Sequence, residues 1–228
     1  MSSVVRLKTE IQIRLNTVAD MSWHARTILA PFRSFATNVR ISNVNNPQEN
    51  VIMEFAEDNY IISLDWNLLA FVSQGEFKKW DNRDGILRFF MDVFSRVKKL
   101  DSYSGIENIR VLTWSIISDH CADVLDFRKK YFSKDVPEGD KDAAIIVIGA
   151  IEDRTFELHF GPYLGKSDID RHNLYFLQRM NDPYAQELQN LRGTLVRAEV
   201  KQNNITEPFQ TIVNLLKEAR KLTKGVAK

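Results

Sequence analysis

The chain has 228 residues, 44% of them hydrophobic and 27% charged, with a formal net charge of +1 and one cysteine, Cys121. That is enough chain for one large domain or two small ones with a real core. It excludes a disulfide framework, a multi-cysteine zinc site and a strong global field for nucleic acid or an anionic membrane, and no apolar run reaches the roughly 20 residues of a membrane span, so a soluble cytoplasmic protein is expected.

Residues 5–15 alternate: Val5, Leu7, Thr9, Ile11, Ile13 and Leu15 face one way and Arg6, Lys8, Glu10, Gln12 and Arg14 the other. This is the pattern of a strand with one buried face in an antiparallel sheet. Asp20 or Ser22 caps a helix reaching about Phe35, with Pro31 predicting a kink or a split into two short helices. Val39-Arg40-Ile41 opens another strand, and residues 43–50, with Pro47, read as a surface loop.

Residues 51–55 and 60–66 flank the polar turn Glu57-Asp58-Asn59 as a hairpin, and residues 68–72 form a third strand before Gly75. Ile86, Phe90, Phe94 and Val97 then recur at helical spacing. Residues 106–118 are apolar on both faces, which predicts a central strand. Asp119 is placed as the N-cap of a helix reaching Phe132, with Cys121 on its apolar stripe.

Residues 134–142, with Pro137, Gly139 and many charges, read as a linker between a 1–133 part and a 143–228 part; the two also fit one continuous domain. Residues 143–148 read as a buried strand, with residues 155–160 as its hairpin partner. A helix is expected near residues 173–180 and a strand over residues 195–200. Thr206 caps a last helix with Pro208 in its first turn, and the basic tail from Lys221 is expected to fray. The fold class is therefore α+β: a mostly antiparallel sheet with helices on one face, in two similar helix-on-sheet halves.

Among motifs, Gly161-Pro-Tyr-Leu-Gly165-Lys166-Ser167 resembles a phosphate-cradling loop, but its glycines are one residue too close for G-x-x-x-x-G-K-[ST]. The plainer reading is a strand-to-loop turn whose glycines relieve backbone strain. His159 and Glu157 lie two apart on one strand, so they share a face and have the ingredients of a general base. The four histidines form no HExxH or HxH set, so no metal or cofactor is expected. His120 and Cys121 are adjacent, with Cys121 read as a small core residue.

Basic clusters occur at Lys98-Lys99, at Arg128-Lys129-Lys130 and along residues 217–224, including Lys221. Interleaved aromatics would let them bind single-stranded nucleic acid if they converged. At helix C-termini they also offset the dipole.

Three stretches, Leu7 to Leu15, the Asn59-Tyr60-Ile61-Ile62-Ser63-Leu64 hairpin with Trp80 and the following helix and strand, and Ile205-Thr206-Glu207-Pro208-Phe209, resemble a sporadically distributed prokaryotic family of α+β proteins of about this length. The chain departs from it at Val111-Leu112-Thr113-Trp114, where the family has an Arg-Tyr-x-Asn-like run. The resemblance implies two helix-on-sheet halves, carries no catalytic residues, and suggests mobile-element or antiviral-defence settings in which such proteins act through partners.

With no convergent catalytic set, the chain reads as a non-catalytic interaction module that binds a protein partner or its own copy, with Phe71, Phe77 and Trp80 as the exposed contact. The alternatives are an accessory nucleic-acid binder using Lys98, Lys99, Arg128, Lys129, Lys130 and Lys221, and a nucleotide-binding enzyme using Gly161, Gly165, Lys166 and Ser167.

Overall fold

The computed structural model describes residues 3–16, 18, 21–75, 86–118, 120–121, 123–132, 143–174 and 183–227. In chain order the elements are β1 (Val4–Leu15), α1 (Met21–Leu29), a 3-10 segment (Ala30–Phe35), β2 (Asn38–Ser42), β3 (Asn50–Phe55), β4 (Tyr60–Leu64), β5 (Leu68–Gln74) and α2 (Ile86–Val97). There follow β6 (Ile106–Ser118), α3 (Val124–Tyr131), β7 (Ile145–Ile151), β8 (Arg154–Pro162), α4 (Lys166–His172), α5 (Pro183–Asn190), β9 (Gly193–Asn203) and α6 (Pro208–Val226). The described strands form one sheet in the order β2-β3-β4-β5-β1-β6-β9-β8-β7, antiparallel throughout. The fold is α+β.

Each half repeats one plan. A long strand is followed by a helix, and then by a meander whose last strand folds back onto the first. In the first half β5 returns to β1; in the second β9 returns to β6. The halves join where β1 pairs with β6, Ile11 opposite Val111 and Ile13 opposite Ile109. One sheet therefore runs through both.

Alternation sorts each strand onto two faces. The front face carries Ile11 and Ile13 of β1, Phe71 of β5, Val111 of β6 and Val196 and Ala198 of β9, all fully buried in one cluster with Phe90 and Phe94 of α2 and Ile212 and Leu215 of α6. Phe90 meets the edge of Phe71 with ring centroids 5.7 Å apart. Each of the larger side chains among them contributes about 1.5–3 kcal/mol on burial. The back face carries a smaller cluster, Leu7, Leu112, Trp114 and Ile116, covered by Ile169 of α4 and Leu188 of α5. Most helices thus lie in front, and α4 and α5 lie behind. Residues 106–118 are buried on both faces because β6 is flanked by β1 and β9 at the centre.

Several local expectations meet a tertiary answer. The helix from Met21 changes to a 3-10 segment at Ala30, where Pro31 removes an amide donor. Asp123, not Asp119, caps α3, its side chain accepting from the Asp126 amide; Asp119 lies outside the described residues. Cys121 sits before that helix with φ +47°, not on its stripe. The basic tail does not fray: α6 continues to Val226 because Thr223 and Val226 are buried. α4 ends at a left-handed Asn173, so a helix precedes the position expected for one; residues 175–182 and the linker segment 134–142 lie outside the described residues. The largest difference is β7. Read as a buried strand, it is an edge strand with Ile146, Val147, Ile148 and Ile151 exposed.

In the front core, Ser73, Thr9 and Thr113 sit side by side across β5, β1 and β6. All three are fully buried, and their hydroxyls find no hydrogen-bond partner. A buried hydroxyl without a partner is destabilising. Thr113→Val should therefore leave stability unchanged or raise it by about 1 kcal/mol, while Phe90→Ala should cost about 3–5 kcal/mol, read from urea midpoints. A clear loss in Thr113→Val would show that the hydroxyl is satisfied.

Candidate functional site

Among the described residues, the helix layer does not reach the β7 end of the sheet. Beyond α3 and α6, the front face is left as a groove whose floor is Val147 and Ile151 of β7 and Phe156, Leu158 and Phe160 of β8. Its volume is about 1080 Å³. That exceeds the usual range of small-molecule pockets, about 300–1,000 Å³, and its apolar floor is of a size to hold a polypeptide segment.

The rim is cationic. Among the described residues, Lys130 of α3 and Lys217, Arg220, Lys221 and Lys224 of α6 line it with one carboxylate, Glu218, which pairs with Lys221 at 3.4 Å. The cause lies in α6. Its apolar stripe, Ile212, Leu215, Leu216 and Ala219, faces the sheet, so the basic residues between those positions turn outward.

Lys130 is held from below. His120 is buried, and its Nδ1 lies 2.9 Å from Thr194 Oγ1. Thr194 Oγ1 spends its own proton on the His120 carbonyl at 2.7 Å. Nδ1 must therefore be the donor and Nε2 the acceptor, which takes a proton from Lys130 Nζ at 2.7 Å. Burial, and then the Lys130 ammonium, hold the His120 pKa below the ordinary imidazole value. Burial likewise pushes the Cys121 thiol up, away from the thiolate a nucleophile requires.

The back face carries the pair Glu157 and His159. Sharing a face, they do meet, His159 Nε2 on Glu157 Oε1. They are one end of a longer ladder. Arg197 Nη1 donates to Glu157 at 3.1 Å, Arg197 Nη2 to Glu199 at 2.6 Å, and Arg110 Nη2 to Glu199 at 2.6 Å. The register sets Glu157 opposite Glu199, and Arg197, bonded to both, offsets that like-charge pairing. Burial raises the Glu157 pKa, but the hydrogen bond and charge of His159 and then of Arg197 outweigh it and leave the carboxyl below its usual value.

The Gly161–Ser167 segment is divided between elements. Gly161 lies inside β8 opposite Leu195, where a Cβ would meet the Ala143 carbonyl at 2.4 Å. Gly165 precedes α4 with φ +59°, a conformation that favours glycine. Lys166 reaches Asp170 at 2.8 Å, and the Leu164 amide is taken by Asp168 Oδ2. These groups do not form a cradle of free amides around a phosphate. The glycines act as backbone devices, and Ser167 sits in the first turn of α4.

Phe71 is fully buried against Phe90 and Tyr60, which removes it from any contact surface. Phe77 and Trp80 lie outside the described residues. Of the basic clusters, two converge: Lys130 and Lys221 line the same groove. Lys98 and Lys99, exposed after α2, and Arg128 and Lys129 of α3 are not among its lining residues. Trp23, 83% exposed on α1, is an exposed aromatic that composition did not single out. The exposure of β7 was missed as well. Its run of apolar residues reads identically for an edge strand and a buried one, and only the count of its neighbours separates the two. Among the described residues, no group of three His, Cys, Asp or Glu is placed to hold a metal.

No protein-family model matches the chain, and no curated protein matches it. The resemblance in element order rests on the residues quoted for it alone.

The His120 arrangement sets a pH dependence. A folded-state pKa below the unfolded value of 6.5 means that the unfolded chain takes up the proton first. The stabilisation is fully present above that value and is lost as pH falls below it; His172, also lowered by burial, acts in the same direction. His120→Gln should narrow the difference in unfolding free energy between about pH 8 and about pH 5. An unchanged difference would exclude His120 as a contributor.

Proposed function

We propose that the protein is a non-catalytic interaction module, a subunit that docks a partner polypeptide on the β7 end of its sheet. One observation carries this reading: a seven-residue edge strand without a charged side chain, with Ile148 75% exposed, borders an apolar groove. Exposed apolar patches of this kind mark interaction surfaces, and soluble proteins normally blunt such edges with charge or proline. The sheet's other edge follows that rule: β2 carries Arg40, tied to Glu54. In affinity capture from native cells, a stoichiometric partner should be retained by Trp23→Asp and lost by Val147→Asp/Ile148→Asp. Retention by the β7 variant would refute the assignment of the surface.

A second reading, single-stranded nucleic-acid binding, is favoured by the convergence of Lys130 with the α6 lysines on one groove that also holds Phe156. It requires retention on a polyanion column that weakens steeply with salt and drops on Lys217→Glu/Lys221→Glu. Salt-independent elution of the unmodified protein would exclude it.

A further inference from the structure

Resting on the docking reading, we infer that the partner segment is an extended strand, apolar at its centre and acidic at its flanks, that adds to the sheet along β7. The main chain argues for a strand. β7 is hydrogen-bonded to β8 on one side, and among the described residues no strand pairs with its other side, so the outward amides and carbonyls offer a ladder to an incoming segment. The side chains argue for an apolar centre. Alternate residues of the added strand would lie on the front beside Val147 and Ile151, and the others on the back beside Ile146 and Ile148, all exposed.

The rim argues for acid. Among the described residues, five cations face one carboxylate there, and Lys217, Lys221 and Lys224 follow at four- and three-residue spacing along one side of α6. That stripe spans about 10 Å along the helix, a length that matches carboxylates two to four residues apart on an extended chain. A second copy is disfavoured on the same ground. Pairing β7 with itself would bring two basic rims to one joint, and β7 has no acidic residue to offset them. The acids just past it, Glu152 and Asp153, form the turn, with Asp153 already engaged by Gln202.

The test is selection from a displayed library of random peptides of about twelve residues against the full chain, followed by affinity measurement on the recovered sequences. Recovered peptides should carry an apolar centre with Asp or Glu at the flanks. Val147→Asp/Ile148→Asp should weaken them at least about tenfold. Lys217→Glu/Lys221→Glu, on exposed helix positions away from the sheet edge, should shift selection to basic flanks, with circular dichroism confirming that both variants fold. Neutral or basic flanks on the unmodified protein would overturn the partner chemistry while leaving the docking reading intact. Peptides indifferent to the β7 variant would overturn strand addition. Failure to recover peptides, with a concentration-dependent dimer that the β7 variant abolishes, would replace the acidic segment by a second copy. Failure to recover peptides from a monomeric protein would remove both readings.

Discussion

The pairing of β1 with β6 is the contact on which the rest depends. Each of these long strands closes its own meander, β1 with β5 and β6 with β9, and their mutual ladder makes two local units into one sheet. Both faces of β6 are covered, the front by α6 and the back by the small cluster around Trp114. Coverage is complete at that centre and thins outward, because the helices that follow each meander pack over its inner strands. Among the described residues, the β7 end is where the sheet outruns its cover, and the candidate docking surface follows from that mismatch.

Charge is handled differently on the two faces. On the back, Arg110, Glu199, Arg197, Glu157 and His159 neutralise one another across three strands. Such half-buried pairs contribute to register and to local order, with little field left over. Lys8 is treated similarly: nearly buried, it lies 4.6 Å from the centre of the Trp114 ring and 3.6 Å from Glu10. On the front rim, among the described residues, the cations outnumber the carboxylates. A chain with formal net charge of +1 thus presents, among the described residues, a concentrated basic rim beside an apolar floor.

The rim and the core communicate at Lys130. Its ammonium donates to a neutral histidine whose tautomer is set by Thr194 on β9, so the position of a groove-lining cation depends on a buried hydrogen-bond chain. A half-buried Tyr131 ring packs against Phe127 and Phe160 beside it, so α3 presents Lys130 from an ordered apolar base.

What the sequence determined by itself was local and periodic. The alternation of residues 9–15 marked a strand with one buried face, although a register shift between Arg6 and Lys8 turns Leu7, expected beside Ile11, to the back cluster; the spacing of Phe90, Phe94 and Val97 marked a helix lying on a sheet, and Pro31 and Pro208 had to break one helix and begin another. Glu157 and His159 share a face because two residues of strand return to the same side. The tertiary structure decided whatever depends on neighbours distant in the chain. Arg197 and Arg110 join the ladder only through the β8-β9-β6 register. Phe71 became core because α2 lies on it, α6 stayed helical to Val226 because its last turn is buried, and the apolar run of β7 became a surface because one of its two sides has no strand among the described residues. Periodicity states which residues face the same way; only the long-range pairing states what they face.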